Sequence, residues 1–295
     1  MTTAAAAPPG WYPDPGDASG PVRYWDGARW TPWQSRGDVM TEVPLSVEGA
    51  AAAWDSIRDH RAPWPGPAAA VALAALVAST ALALGALVVG RRLGLDTFAG
   101  ELTSSAVGLY TGMLASCWAI QRRWGSGAGF RRDFGIEYRA RDWLRGLLGS
   151  LAARGLAMVA AVLLVLLIRS FEDESYQLTP DDGIGWVGVL VFAFVAVVVA
   201  PIVEEIFFRG LVQRSLETVL PAWLAIGVQG IAFGLAHGTV DRGVENLYVV
   251  VPIAVGGVVL GHLARRYQRL GPAIAAHGFF NLLPVLLVVV LQAIR

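Results

Sequence analysis

The stretch that decides the fold is Pro201-Ile202-Val203-Glu204-Glu205-Ile206-Phe207-Phe208-Arg209-Gly210. It is led in by the run 184–203, which holds no charge. An apolar run of about 20 residues can cross the hydrocarbon core of a bilayer as a helix. This one runs straight into two adjacent carboxylates and an arginine. A charge at mid-helix in lipid costs about 2.5–3.5 kcal/mol on insertion scales, so charges kept at this point call for a reason. Glu205 and Arg209 are four apart, share a helical face and can form an ion pair. Glu204 is turned about 100° away on the helix and has no such local partner. One carboxylate neutralised and one left free is what a general base needs. The competing reading is that the helix simply ends here, with its charges at the interface.

Composition makes this run one of several. The 295 residues are 55% hydrophobic and only 16% charged, with a mean hydropathy of +0.53. A soluble domain carries about 25% charged residues, so an ordinary soluble enzyme and a disordered chain are both excluded. Seven runs are candidate spans: 62–90, 102–120, 146–168 (interrupted by Arg154), 184–203, 218–240, 246–264 and 270–294. The sixth is short and holds His262, which reads as a packed histidine. The fold class expected is all-α, a polytopic transmembrane helix bundle of about 7–8 spans. A re-entrant or split segment near 130–145 would supply the eighth helix. Gly230-x-x-x-Gly234 and Gly257-x-x-x-Gly261 predict close helix packing inside the bundle.

The connections set an orientation. Residues 121–145 hold seven Arg and three acids, whereas 170–183 hold five acids and no base. Arg209 and Arg214 follow the fourth run, and Arg265, Arg266 and Arg269 follow the sixth. With the N-terminus cytoplasmic, every basic cluster falls inside, and the C-terminus falls outside. The expected location is the cell (plasma) membrane, multi-pass. Formal net charge is zero, so no basic surface points to a nucleic-acid partner. The single cysteine, Cys117, sits in an apolar run and reads as buried.

The N-terminal part differs in kind. Six of the eleven Trp (Trp11, Trp25, Trp30, Trp33, Trp54 and Trp64) fall within the first 64 residues. Asp26-Gly27 between aromatic segments reads as a hairpin turn. A module this small has no room for a large core, so stacked Trp and Tyr supply its order. The domain reading is 8–34 as a Trp-rich module, 35–61 as a linker with a short helix over 47–60, and 62–295 as the membrane domain. The module is similar to a short Trp-rich module of unknown function common at the N-termini of actinobacterial membrane proteins. It is a candidate binder of an unidentified protein.

Two further places put polar groups where lipid is expected. Phe233-Gly234-Leu235-Ala236-His237 sets a His four residues after an aromatic, and His277-Gly278-Phe279-Phe280-Asn281 sets His and Asn on one helical face. A lone His in an apolar run is more often packed than catalytic. Three runs each carrying such groups change that balance, because buried polar groups satisfy one another. Glu204, His237, His277 and Asn281 are therefore expected to converge.

The ordered set Glu-Glu-x-x-x-Arg, Phe-x-x-x-His and His-x-x-x-Asn resembles the CAAX-protease and bacteriocin-processing (CPBP, or Abi) family of intramembrane proteases, over roughly residues 65–294. The resemblance implies an intramembrane endopeptidase acting on membrane-associated protein or peptide substrates. It makes Glu204 the general base that activates a water, His237 a residue that holds that water, and His277 and Asn281 the stabilisers of the oxyanion. Glu205, Arg209 and Phe233 take supporting places. No cofactor is expected. A zinc-dependent version of the same protease would use Glu204, His237 and His277, although no His-Glu-x-x-His helix is present. A catalytically inactive membrane adaptor or immunity protein and a proton-coupled transporter are the readings of other classes.

One difficulty is internal to this reading. Glu204 at the end of the fourth run and His237 near the end of the fifth fall on opposite sides of the bilayer. They meet only if the Glu204 helix continues past Arg209 or tilts.

Overall fold

The computed structural model describes residues 10–14, 20–26, 30–37, 39–42, 64–127, 129–168, 185–239 and 243–294. The expected helix over 47–60 and the acidic connection 170–183 lie outside these. The chain divides into two compact units, Met1–Arg61 and Ala62–Arg295.

The first unit is an antiparallel sheet of four strands, a fuller structure than a single hairpin. β1 (Gly10–Pro13), β2 (Val22–Trp25), β3 (Trp30–Arg36) and β4 (Val39–Glu42) lie side by side in chain order. β2 and β3 flank the Asp26-Gly27 step, with Trp25 paired to Trp30. Edge-on ring contacts join Trp11 to Tyr24, Tyr12 to Trp30 and Trp25 to Trp30, at 5.3, 6.3 and 5.4 Å between centroids. Under the rings, buried Arg23 bonds Asp14 Oδ2 at 2.7 Å, and Gln34 donates to the same oxygen at 2.8 Å. Edge-on aromatic contacts and the buried Arg23–Asp14 pair are what so short a module has in place of an aliphatic core.

The second unit is a bundle of long helices: α1 (Pro67–Arg92), α2 (Phe98–Trp124), α3 (Asp142–Ile168), α4 (Trp186–Leu216), α5 (Ala222–Leu235), α6 (Leu247–Tyr267) and α7 (Gly271–Ala293). Five of them (α1, α3, α4, α6 with the turn before it, and α7) are long and apolar enough to cross a membrane. α2 is as long but less apolar, with Thr103, Ser104, Ser105, Thr111 and Ser116 along it. α5 has 14 residues, about 21 Å against a hydrocarbon core of about 30 Å. Around 130–145 there is a single helical turn, Phe130–Asp133, where an eighth helix was expected. Large apolar side chains cover the outside of the bundle, among them Val77, Leu167 and Val187, as a lipid-facing surface requires.

α1 and α2 pack closely through small residues. A Cβ on Gly108 would lie 2.6 Å from the Leu82 carbonyl oxygen, so only glycine allows that backbone approach. Thr97 caps α2 by accepting from Gly100 N–H at 3.2 Å. α3 starts at buried Asp142, which accepts from Arg139 N–H at 2.8 Å, from Arg145 at 3.2 Å and from Arg269. That carboxylate ties the start of α3 to the turn between α6 and α7. The two Gly-x-x-x-Gly pairs pack α5 on α6 as expected. A Cβ on Gly257 would lie 3.1 Å from the Phe233 ring and 3.2 Å from Gly230 Cα. Cys117 is fully buried.

α4 is the centre of the bundle. From Val203 to Gln213 every residue is buried, including Glu204, Glu205 and Arg209. A helix enclosed on all sides is a core helix. It also corrects two of the expected spans. The fourth does not end at residue 203 but continues to Leu216, because Glu205 and Arg209 neutralise each other inside protein and do not reach an interface. The fifth is shorter than 218–240. Glu204 therefore lies about 18 Å back from the end of α4, and His237 about 22 Å beyond the start of α5. The two residues come level, which removes the difficulty in the hydropathy reading. His262 lies on an exposed face of α6, not packed as expected.

Candidate active site

Two stretches of α4 are π-helical, Val195–Val199 and Ile206–Gln213, and they bracket Glu204 and Glu205. A π segment inserts an extra residue per turn, frees carbonyls from the helical ladder and is frequent at functional sites. Here the freed groups find side chains. In the first segment Ala200 N–H bonds Val195 O, five residues back. By the same register Ala196 O would pair with residue 201, which is proline and has no N–H. Asn281 Nδ2 takes its place, donating to Ala196 O at 2.8 Å. In the second segment Gly210 O accepts from the indole N–H of buried Trp64 at 3.1 Å. Trp64 thus belongs to the core of the helical unit.

The adjacent glutamates have separate partners. Glu205 Oε1 accepts from Arg209 at 2.6 Å and lies 2.9 Å from His277 Nδ1. All three side chains are buried. Arg209 also donates to Gly257 O at 3.0 Å and lies over the Phe233 ring at 4.3 Å from its centroid. Gln229 donates to the same Gly257 oxygen at 2.9 Å, and Gln213 donates to Gly261 O at 3.1 Å. Phe233 is the hub of the rings. Its centroid is 4.7 Å from that of His237, 5.5 Å from His277 and 5.1 Å from Phe208.

Glu204 faces the two histidines. Its Oε2 lies 3.9 Å from His237 Nε2 and 3.8 Å from His277 Nε2. Both separations are too long for direct hydrogen bonds. Its Oε1 accepts from the Tyr110 hydroxyl of α2 at 3.2 Å. His237 sits in the turn after α5, and its Nδ1 lies 2.8 Å from Phe233 O, one of the carbonyls orphaned at the helix end. Both histidines thus have an acceptor at Nδ1, which places Nδ1–H there and turns Nε2 towards Glu204. Access is uneven. The His237 side chain is 34% exposed, while Glu204 and His277 are 11% and 4% exposed, so the site opens on the His237 side.

Glu204, His237 and His277 come together as expected, with Glu205, Arg209 and Phe233 directly behind them. Asn281 sits on the same α7 face as His277, but its amide is bonded to α4 backbone. Sequence reasoning missed Tyr110, Gln213 and Gln229. A lone tyrosine or glutamine in an apolar run carries no spacing signal, and only the packing of α2 on α4 and of α6 on α4 and α5 shows where each points. Among the described residues no group of three or more His, Cys, Asp or Glu side chains is set to hold a metal ion. The 3.8 and 3.9 Å separations at Glu204 exceed the roughly 3.3 Å edge of a tetrahedral zinc site with bonds of about 2.0 Å.

The fold and these residues define a multi-pass helical membrane protein with a buried carboxylate–histidine site. Residues 186–283, from the start of α4 into α7, match the type II CAAX prenyl endopeptidase Rce1-like family. Residues 9–38 match DUF2510, a family of unknown function. No curated protein and no solved structure matches the chain.

Proposed function

We propose that the protein is an intramembrane endopeptidase that hydrolyses peptide bonds of membrane-associated substrates with a water activated by Glu204. The observation that carries the reading is Glu204 Oε2 set between two imidazole nitrogens, at 3.8 and 3.9 Å, in a core helix. A water there donates one hydrogen to Glu204 Oε2 and one to His237 Nε2, leaving a lone pair for the substrate carbonyl. Attack forms the C–O bond while the water proton passes to Glu204. The tetrahedral oxyanion is met by His277 Nε2–H and by the second amide hydrogen of Asn281. For Nε2 to donate while Nδ1 donates to Glu205, His277 is the imidazolium in this step, and the two carboxylates, Glu204 and Glu205, together balance its charge and that of Arg209. Collapse breaks the C–N bond, and Glu204 returns the proton to the departing amine. No step passes through a metal, since the donor separations suit hydrogen bonds through water better than zinc coordination.

The orientation that goes with this reading keeps the N-terminus cytoplasmic and the C-terminus outside, by the basic connections. Reporter fusions to residue 42 and to the C-terminus test it. For the chemistry, purified protein is incubated with membranes and new peptide termini are sought by mass spectrometry. Termini that arise with wild type and vanish with Glu204→Gln are expected. Equal termini from both would leave the inactive adaptor reading in place.

A further inference from the structure

Arg154 is the one charged residue inside the apolar part of α3, about 18 Å along the helix from Asp142. That places it near mid-bilayer, where an ionisable group is expected to have a function and a partner. Its partner is the carbonyl of Phe280 on α7, to which a guanidinium N–H donates, and its charge lies 4.5 Å from the centroid of the Phe280 ring. Arg154 is half-buried, and no acidic side chain pairs with it among the described residues.

The choice of that carbonyl has a cause in the sequence. α7 contains Pro284, four residues after Phe280. In an α-helix the N–H of residue 284 bonds the carbonyl of residue 280, and proline has no N–H. The Phe280 carbonyl is therefore left without its helical donor inside the membrane, where water does not replace it. Arg154 supplies the donor from another helix. The next residue, Asn281, repeats the arrangement in the other direction, with its amide donating to the Ala196 carbonyl that Pro201 leaves open. Two prolines thus open two carbonyls, and two side chains close them, joining α3 to α7 and α7 to α4 within consecutive residues. His277 lies one turn earlier on the same helix.

We infer that Arg154 is a positioning residue of the active site: by closing the carbonyl that Pro284 opens, it holds the turn of α7 that presents His277 and Asn281 to Glu204. The inference rests on the proteolytic reading above. The arginine acts through backbone and touches no reacting atom. A reciprocity follows that a substrate contact would lack. Restoring the N–H at residue 284 should make the arginine dispensable.

The test is a double-mutant cycle of Arg154→Met and Pro284→Ala in the full chain, read by cleavage kinetics on a peptide identified with the wild type and by thermal melting in detergent. Arg154→Met is expected to lower kcat about tenfold with KM within about twofold, and to lower Tm. Adding Pro284→Ala should return both kcat and Tm to within about threefold and a few degrees of the Pro284→Ala protein. If Arg154→Met alone does not fold, a folded and active double variant supports the inference equally. Unchanged kcat in Arg154→Met overturns the inference. So does a raised KM that Pro284→Ala does not rescue, which would make the arginine a contact for substrate anion. A wild-type protein without any cleavage activity would instead overturn the proteolytic reading, while the melting half of the cycle would still report on the Arg154–Pro284 coupling.

Discussion

His277 is bonded to Glu205 rather than to Glu204: its Nδ1 lies 2.9 Å from Glu205 Oε1, while its Nε2 stops 3.8 Å short of Glu204 Oε2. The neighbouring carboxylates therefore divide the work. Glu205 is locked in a buried chain with Arg209 and His277, and Glu204 keeps an oxygen turned towards both imidazoles.

That division predicts opposite signatures for two similar substitutions. Glu205→Gln leaves Arg209 as a buried charge without its carboxylate, which costs about 3–5 kcal/mol. Its melting temperature should fall sharply and cleavage should be lost with it. Glu204→Gln should leave melting close to wild type while abolishing cleavage. Thermal denaturation and terminal mass spectrometry on the same preparations check both, and an unstable Glu204→Gln with a stable Glu205→Gln would reverse the assignment.

Tyr110 is the donor to Glu204 Oε1 at 3.2 Å. Tyr110→Phe removes one hydrogen bond worth about 1.5–3 kcal/mol to a charged acceptor. Cleavage is expected to fall about tenfold or more in kcat with little change in KM. A Tyr110→Phe protein with wild-type turnover would show that the hydroxyl plays no part in setting the carboxylate.

Gly257 lets α6 approach α5 closely enough for its carbonyl to take both Arg209 and Gln229. A methyl at this position meets the Phe233 ring at 3.1 Å and Gly230 at 3.2 Å. Gly257→Ala should destabilise the bundle by about 1–3 kcal/mol through overpacking. Gly85, with nothing near its Cβ position, should accept alanine without loss. Paired melting curves make the comparison, and equal curves would contradict this packing.

Cleavage by a water held between Glu204 and the histidines should persist in a strong zinc chelator. Assays before and after extended chelation, with metal content measured on the same samples, check this. Loss of activity restored by zinc would favour the metal-dependent version built on Glu204, His237 and His277.

Much of this was legible in the sequence because hydrophobicity and local spacing are one-dimensional. The apolar runs announced a membrane bundle. The four-residue step from Glu205 to Arg209 announced the ion pair, since helical neighbours are set by period alone. The Asp26-Gly27 turn marked β2 and β3, although the two outer strands of the sheet carried too little signal to be expected. The end of α4 was misplaced for a physical reason: hydropathy reads a charge as a boundary, whereas a charge paired inside protein is no boundary at all.

Hydropathy and spacing alone were enough for the class of fold, for the placing of Glu204, Glu205, Arg209, His237 and His277 in or beside apolar runs, and for the division between the two glutamates. Which distant groups close on the site came from packing. Tyr110 comes to Glu204 from a helix far off in the chain, Arg154 to Phe280 likewise, and Asn281 to the Ala196 carbonyl. These contacts join residues distant in sequence, and no periodicity encodes them. The last two follow from carbonyls freed by proline and π-helix and the first from a buried carboxylate in need of a donor, and such demands are satisfied only once the bundle has packed.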